Sequence, residues 1–96
     1  MLKNDLPKVA EFKLEDKFHI TARGMVLAGQ IISGTISPGN SIYLENENAP
    51  ILVKILDVEI GRHTQIKSFV GLFIGTEQKH LEGNFEALIG ENLPII

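Results

Sequence analysis

Apolar and polar residues alternate through the first third of the chain. From Val9 to Ile20 the even positions Phe12, Leu14, Phe18 and Ile20 are apolar, with Lys13, Glu15, Lys17 and His19 between them. A period of two predicts a strand whose even face turns to a core and whose odd face meets water. Asp16 falls on the apolar parity, which predicts a bend or bulge at Glu15-Asp16. Arg23-Gly24 reads as a turn, with the glycine supplying a backbone angle that other residues avoid. A second strand is expected from Met25 to Ser33. Its odd positions Met25, Leu27, Gly29 and Ile31 form one face, and Val26, Ala28, Gln30 and Ile32 form the other. Both faces are largely apolar, so this strand is either central or carries a contact surface on its outer side. Gly29 in mid-strand predicts close backbone approach or strong coiling.

The punctuation continues. Ser37-Pro38-Gly39-Asn40 fits a type II turn, and a short strand from Ser41 to Leu44 should follow it. The polar stretch Glu45 to Pro50 reads as an exposed loop. Ile51 to Ile60 is the next strand, but Ile51, Val53 and Ile55 share one parity while Leu56, Val58 and Ile60 share the other. A bulge near Ile55-Leu56 would reconcile the halves. Gly61 to Ser68 reads as a loop with a small basic cluster, and Phe69 to Ile74 as a strand with Val70, Leu72 and Ile74 inward. Gly75 to Gly83 is polar with room for one helical turn, and Phe85 to Ile89 is expected to form the last strand. Residues 1–8 are a lead-in and residues 91–96 an apolar tail. About six to seven short strands at this spacing predict one all-β domain over residues 1–96, a small closed antiparallel β-barrel.

Composition narrows the function classes. Isoleucine recurs along the chain, and β-branched side chains favour pleated surfaces. Cysteine is absent, which excludes a disulfide framework, a thiolate zinc site and a thiol nucleophile. No run approaches the roughly 18 apolar residues that span a membrane, and the first residues lack a signal-peptide core. A cytoplasmic protein is expected, with Met1 and the apolar tail fitting a complete small protein. The net charge of −3 runs against binding nucleic acid by bulk electrostatics, so any such contact needs a local patch.

Candidate chemistry is sparse. Glu15 and Asp16 could touch a ligand, but neighbouring strand residues point to opposite faces, and the alternative is a solvated bend. Phe18 and Phe69 read as core. Arg23 either ties down its turn or contacts a ligand. Arg62, His63 and Lys67 could touch phosphate or simply be solvated. His19, His63 and His80 have no metal-ligand spacing, and no G-x-S-x-G nucleophile motif occurs. Val26, Ala28 and Ile32 make an outward apolar strip, which predicts a surface for a partner or for self-association.

The segments Leu14 to Ile20, Arg23-Gly24, Gly29 to Ile31, Gly34 to Ile36 and Pro38 to Ile42 carry a resemblance. With Val58-Glu59, Val70-Gly71-Leu72 and Gly83, they make residues 8–90 similar to domain 2 of the translational GTPases, the barrel that follows the nucleotide-binding domain in elongation factor Tu. The resemblance implies a translation-factor barrel and contact with tRNA, ribosomal RNA or a translation-associated partner. It also implies that Glu15, Asp16, Phe18 and Arg23 belong to a ligand-binding region. The family's pocket threonine and asparagine correspond to Ala28 and Phe69 here. A phosphate-binding G-x-x-x-x-G-K-[ST] loop is missing, so GTP hydrolysis is not carried over and no nucleotide or other cofactor is expected. The expected function is a non-catalytic binding module with no metal and no membrane contact. The alternative is a protein-interaction or oligomerisation barrel unrelated to translation.

Overall fold

A computed structural model describes residues 7–63 and 67–96, except for the side chains of residues 62, 63, 67 and 68. Seven strands follow the chain: β1 (Ala10–Ile20), β2 (Gly24–Gly34), β3 (Ser41–Leu44), β4 (Ile51–Lys54), β5 (Asp57–His63), β6 (Lys67–Gly75) and β7 (Asn92–Ile95). A 3-10 turn (Lys79–Leu81) and a short helix, α1 (Glu82–Ala87), lie between β6 and β7. All strands join one antiparallel sheet in the order β4-β3-β7-β1-β2-β6-β5.

The fold is therefore all-β, but the sheet is not closed into a barrel. β4 and β5 form its two ends and share no ladder. The reason lies at Ile55-Leu56, where the sequence changes parity. Ile55 N–H donates to the Asn40 carbonyl at 2.8 Å, on the β3 side, and Leu56 N–H donates to the Phe73 carbonyl at 2.7 Å, on the β6 side. One chain segment thus serves both ends of the ladder in succession, and its two halves cannot pair with each other.

Bulges decide which residues reach the core. Phe12 and Leu14 are fully buried beside Met25, Leu27, Leu72 and Ile74. Between Leu14 and Asp16 the β1–β2 register shifts, so Glu15 is the extra residue. The parity then flips, and Phe18, expected in the core, lies on the opposite sheet face with 38% exposure. Lys17, expected in water, turns to the inner side opposite Leu27 with a side chain only 11% exposed. Gly29 meets its expected role, because a Cβ there would overlap the Lys13 carbonyl oxygen of β1. The Ser37–Asn40 turn is also as read, with Gly39 at φ 100° and Asn40 N–H donating to the Ser37 carbonyl at 3.0 Å.

The C-terminal third departs from expectation. Phe85 to Ile89 is not a strand, since Glu82–Ala87 is helical. Leu81, Phe85 and Leu88 recur at helical spacing and bring one apolar face to the core. The residues taken as a tail instead form β7, which lies between β3 and β1 with Leu93 and Ile95 buried. The loop expected over Gly61 to Ser68 is shorter, because β5 and β6 pair as far as His63 and Lys67.

Candidate functional site

The core itself offers no chemistry. Among the described residues no polar or charged side chain is buried, and no group of His, Asp or Glu is gathered closely enough to hold a metal ion. None of the described helices is long and apolar enough to cross a membrane. Interest falls on the outer face of β1, β2, β6 and β5, which the bulge at Glu15 furnishes with side chains.

Cross-strand register sets these side chains in rows. Phe18, Val26, Phe73 and Asp57 make one row, and Asp16, Ala28, Gly71 and Glu59 make the next. Val26 is 1% exposed between the rings of its row and Ala28 is 8% exposed, so neither offers the accessible strip expected of them. Ile32 alone of that trio is exposed, at 50%, at a second register shift of the β1–β2 ladder. In the row beyond Gly71, the Phe69 ring covers Gly61, whose Cβ would stand 2.8 Å from it. Phe69 is thus half-buried on the outer face rather than in the core. With the side-chain-free Gly71 between them, the rings of Phe18, Phe69 and Phe73 border a groove of about 230 Å³, with Glu59 at its wall.

Arg23 reaches this face from the β1–β2 turn, where Ala22 takes a left-handed φ of 71°. Its guanidinium carbon lies 3.9 Å from the centroid of the Phe73 ring. Its Nη2 donates to Asp57 Oδ2 and Glu59 Oε2, both at 3.1 Å. A cation on an aromatic face, held between two carboxylates, combines π attraction with charge pairing. The turn arginine is thus secured by the outer face of β5 and β6.

Asp16, Phe18 and Arg23 therefore share one face. Asp16 also accepts the Lys17 N–H at Oδ1, 2.8 Å away, which steadies the bulge. Glu15 is the bulged residue beside them. The side chains of Arg62, His63 and Lys67, read as phosphate contacts, lie outside the described residues. Sequence reading missed Phe73, Asp57 and Glu59. Their only signal was the alternation of β5 and β6 opposite the inward Val58 and Leu72, and pairing it required the register.

Two other features lie outside the groove. A wider cleft of about 470 Å³ opens at the end of the sheet between Arg23, Lys54, Leu56 and Gln78, without a converging set of buried polar groups. On the inner side, Lys17 Nζ stands 3.1 Å from both Glu82 and Glu86 of α1. Its hydrogen bonds to Glu86 and Glu82 raise its pKa above the ordinary 10.5. The same contact holds the Glu82 carboxyl below its ordinary 4.5. This pair anchors the helix and does not border the groove. Comparison with protein-family models, curated proteins and solved structures finds no match.

Proposed function

We propose that the chain is a non-catalytic binding module of the translation-factor domain 2 kind. It works in the cytoplasm and contacts tRNA, ribosomal RNA or a translation-associated partner through the outer face of β1, β2, β6 and β5. The observation that supports this reading is that Asp16, Phe18 and Arg23 share one sheet face, which also holds a groove lined by Phe18, Phe69 and Phe73. An exposed ring such as Phe18, with the half-buried Phe69 beside it on a rigid sheet, offers contact area at low cost in conformational entropy. The test is co-sedimentation with ribosomal subunits and filter binding of tRNA at low salt, where backbone contacts are strongest. Wild type should bind one of them and Phe18→Ala should weaken that binding. Absence of binding to all of them at low salt overturns the reading.

One observation favours a second reading, self-association through the ends of the sheet. The segment that forms both ends carries Leu52 at 55%, Leu56 at 56% and Ile60 at 76% exposure, and sheet ends are ready templates for pairing. Wild type should then sediment as a dimer or larger, and Ile60→Lys or Leu52→Lys, at the exposed sheet ends, should shift it toward monomer with the fold intact. A monomeric wild type ends that reading.

A further inference from the structure

We propose that two copies of this chain pair through the free edge of β5, antiparallel about a twofold axis at Ile60, so that their sheets join into one. The inference rests on the self-association reading above and fixes which end of the sheet meets which, in what direction and at what register.

The two ends of the sheet are not equally open. β4 has 4 residues, follows Pro50, which has no N–H to offer, and closes with the exposed Lys54. Short length, proline and lysine are means by which sheet edges resist pairing. β5 has 7 residues, and its middle residue, Ile60, is the most exposed of the described large apolar side chains at 76%. Among the described strands it pairs only with β6. Leu56 N–H donates to the carbonyl of Phe73, the residue that the ladder sets opposite Asp57. Asp57 and the odd residues after it thus bond towards β6, while the Val58 N–H goes to Asp57 Oδ1 at 2.9 Å. Backbone groups alternate along a strand, so Ile60 turns its N–H and carbonyl to the open edge. A second β5 centred there exchanges both bonds with its own Ile60 and covers the two exposed side chains with each other.

Charge and symmetry select a second copy as the partner. The β5–β6 hairpin is acidic at its base, where Asp57 and Glu59 share the single guanidinium of Arg23. It is basic towards its tip, since positions 61–68 include Arg62, His63 and Lys67 and no acidic residue. Antiparallel pairing about Ile60 sets Asp57 of one copy opposite position 63 of the other and Glu59 opposite Gly61. Each acidic base then meets a basic tip. Parallel pairing would instead set the carboxylates of the two copies side by side. A twofold pair also closes on itself, whereas β5 against β4 would leave a free edge at each end and grow without limit.

The test is sedimentation velocity of the whole chain over a concentration series, with cysteine cross-linking to locate the contact. Wild type should sediment as a concentration-dependent dimer and form no longer polymer. Ile60→Pro removes an N–H that faces outward and spares the β5–β6 ladder. It should weaken the dimer about tenfold or more, the worth of the two exchanged backbone bonds. A proline variant that keeps its circular dichroism and its full tendency to dimerise overturns the inference. The chain has no cysteine, so single cysteines report the contact even if the proline variant fails to fold. Opposed residues that exchange both bonds stand about 5.5 Å apart at Cα, within disulfide reach. Under mild oxidation Ile60→Cys should therefore link two copies, whereas Asp57→Cys and Leu52→Cys, far from the axis, should not. Linkage at Leu52→Cys would move the contact to β4, and linkage at Asp57→Cys would make it parallel. Either result, or an unlinked Ile60→Cys in a dimeric protein, overturns the inference and leaves self-association standing. A wild type that stays monomeric ends both.

Discussion

Gly29 and Gly83 show how differently one residue type behaves in this chain. A methyl at Gly29 would enter the Lys13 carbonyl and press on the Phe12 ring, whereas nothing lies within 4 Å of one at Gly83. Gly29→Ala forces β1 and β2 apart at their most intimate crossing and should lower stability by about 1–3 kcal/mol. Gly83→Ala, within α1, removes backbone entropy from the unfolded chain and should raise stability by about 0.5–1 kcal/mol. Urea denaturation of both variants measures the pair, and similar effects of the two would contradict the packing described. Of these, Gly29 was readable, because glycine in mid-strand already signals close approach. Phe18 was not, since its side depends on whether Glu15 is skipped by the ladder. The sequence placed a bulge there, and only the register showed that it reverses the face.

Among the elements, α1 depends most on its neighbours. A helix of 6 residues cannot sustain itself in water. It is held by Phe85 and Leu81 in the core and by Lys17 bonded to Glu82 and Glu86. These bonds make part of its attachment depend on pH. Lys17 has a raised pKa, so its share is present below 10.5 and is lost as pH rises through the higher folded value. Glu82 has a lowered pKa, so its share is present above 4.5 and is lost as pH falls through the depressed folded value. The contribution should therefore be level across neutral pH and fall away at both extremes. Lys17→Met should melt at a lower temperature than wild type near pH 7, and the gap should narrow as pH falls and Glu82 is protonated. A gap that stays constant down to pH 3 would show that the pair does not hold α1. The helix was legible in the spacing of Leu81, Phe85 and Leu88, but reading Phe85 to Ile89 by its β-friendly ends hid that period.

At the scale of the whole molecule, β7 connects parts that would otherwise lie apart. It is placed between β3 and β1, Val9 N–H donates to the Ile95 carbonyl, and Ile96 N–H donates to the Ser41 carbonyl, both at 2.8 Å. Leu93 and Ile95 also fill the core. Ile95→Asp buries a carboxylate without a partner and should cost about 3–5 kcal/mol, a large share of the stability of a domain this size. Urea denaturation followed by circular dichroism should show the transition moved to much lower denaturant or lost, and an unchanged midpoint would mean that β7 is dispensable. Arg23→Ala removes two exposed ion pairs and a cation–π contact and should cost about 1–2 kcal/mol. The two variants therefore separate what holds the molecule together from what adorns its outer face.

By itself the sequence determined the β class, the Ser37–Asn40 turn, the crossing at Gly29, and the breaks of parity at Glu15-Asp16 and Ile55-Leu56. All of these are local, set by side-chain alternation and by backbone angles that few residues adopt. Tertiary structure alone decided that the two breaks have opposite consequences, one turning Phe18 outward and the other leaving the sheet open between β4 and β5. It also decided that Leu93 to Ile95 enters the middle of the sheet, and that Arg23, Phe73, Asp57 and Glu59 meet. Contacts of that kind depend on which strands become neighbours, and strand order is set by the burial of the whole apolar surface rather than by any stretch of residues. The groove exists because four strands, each ordinary in sequence, came to lie side by side.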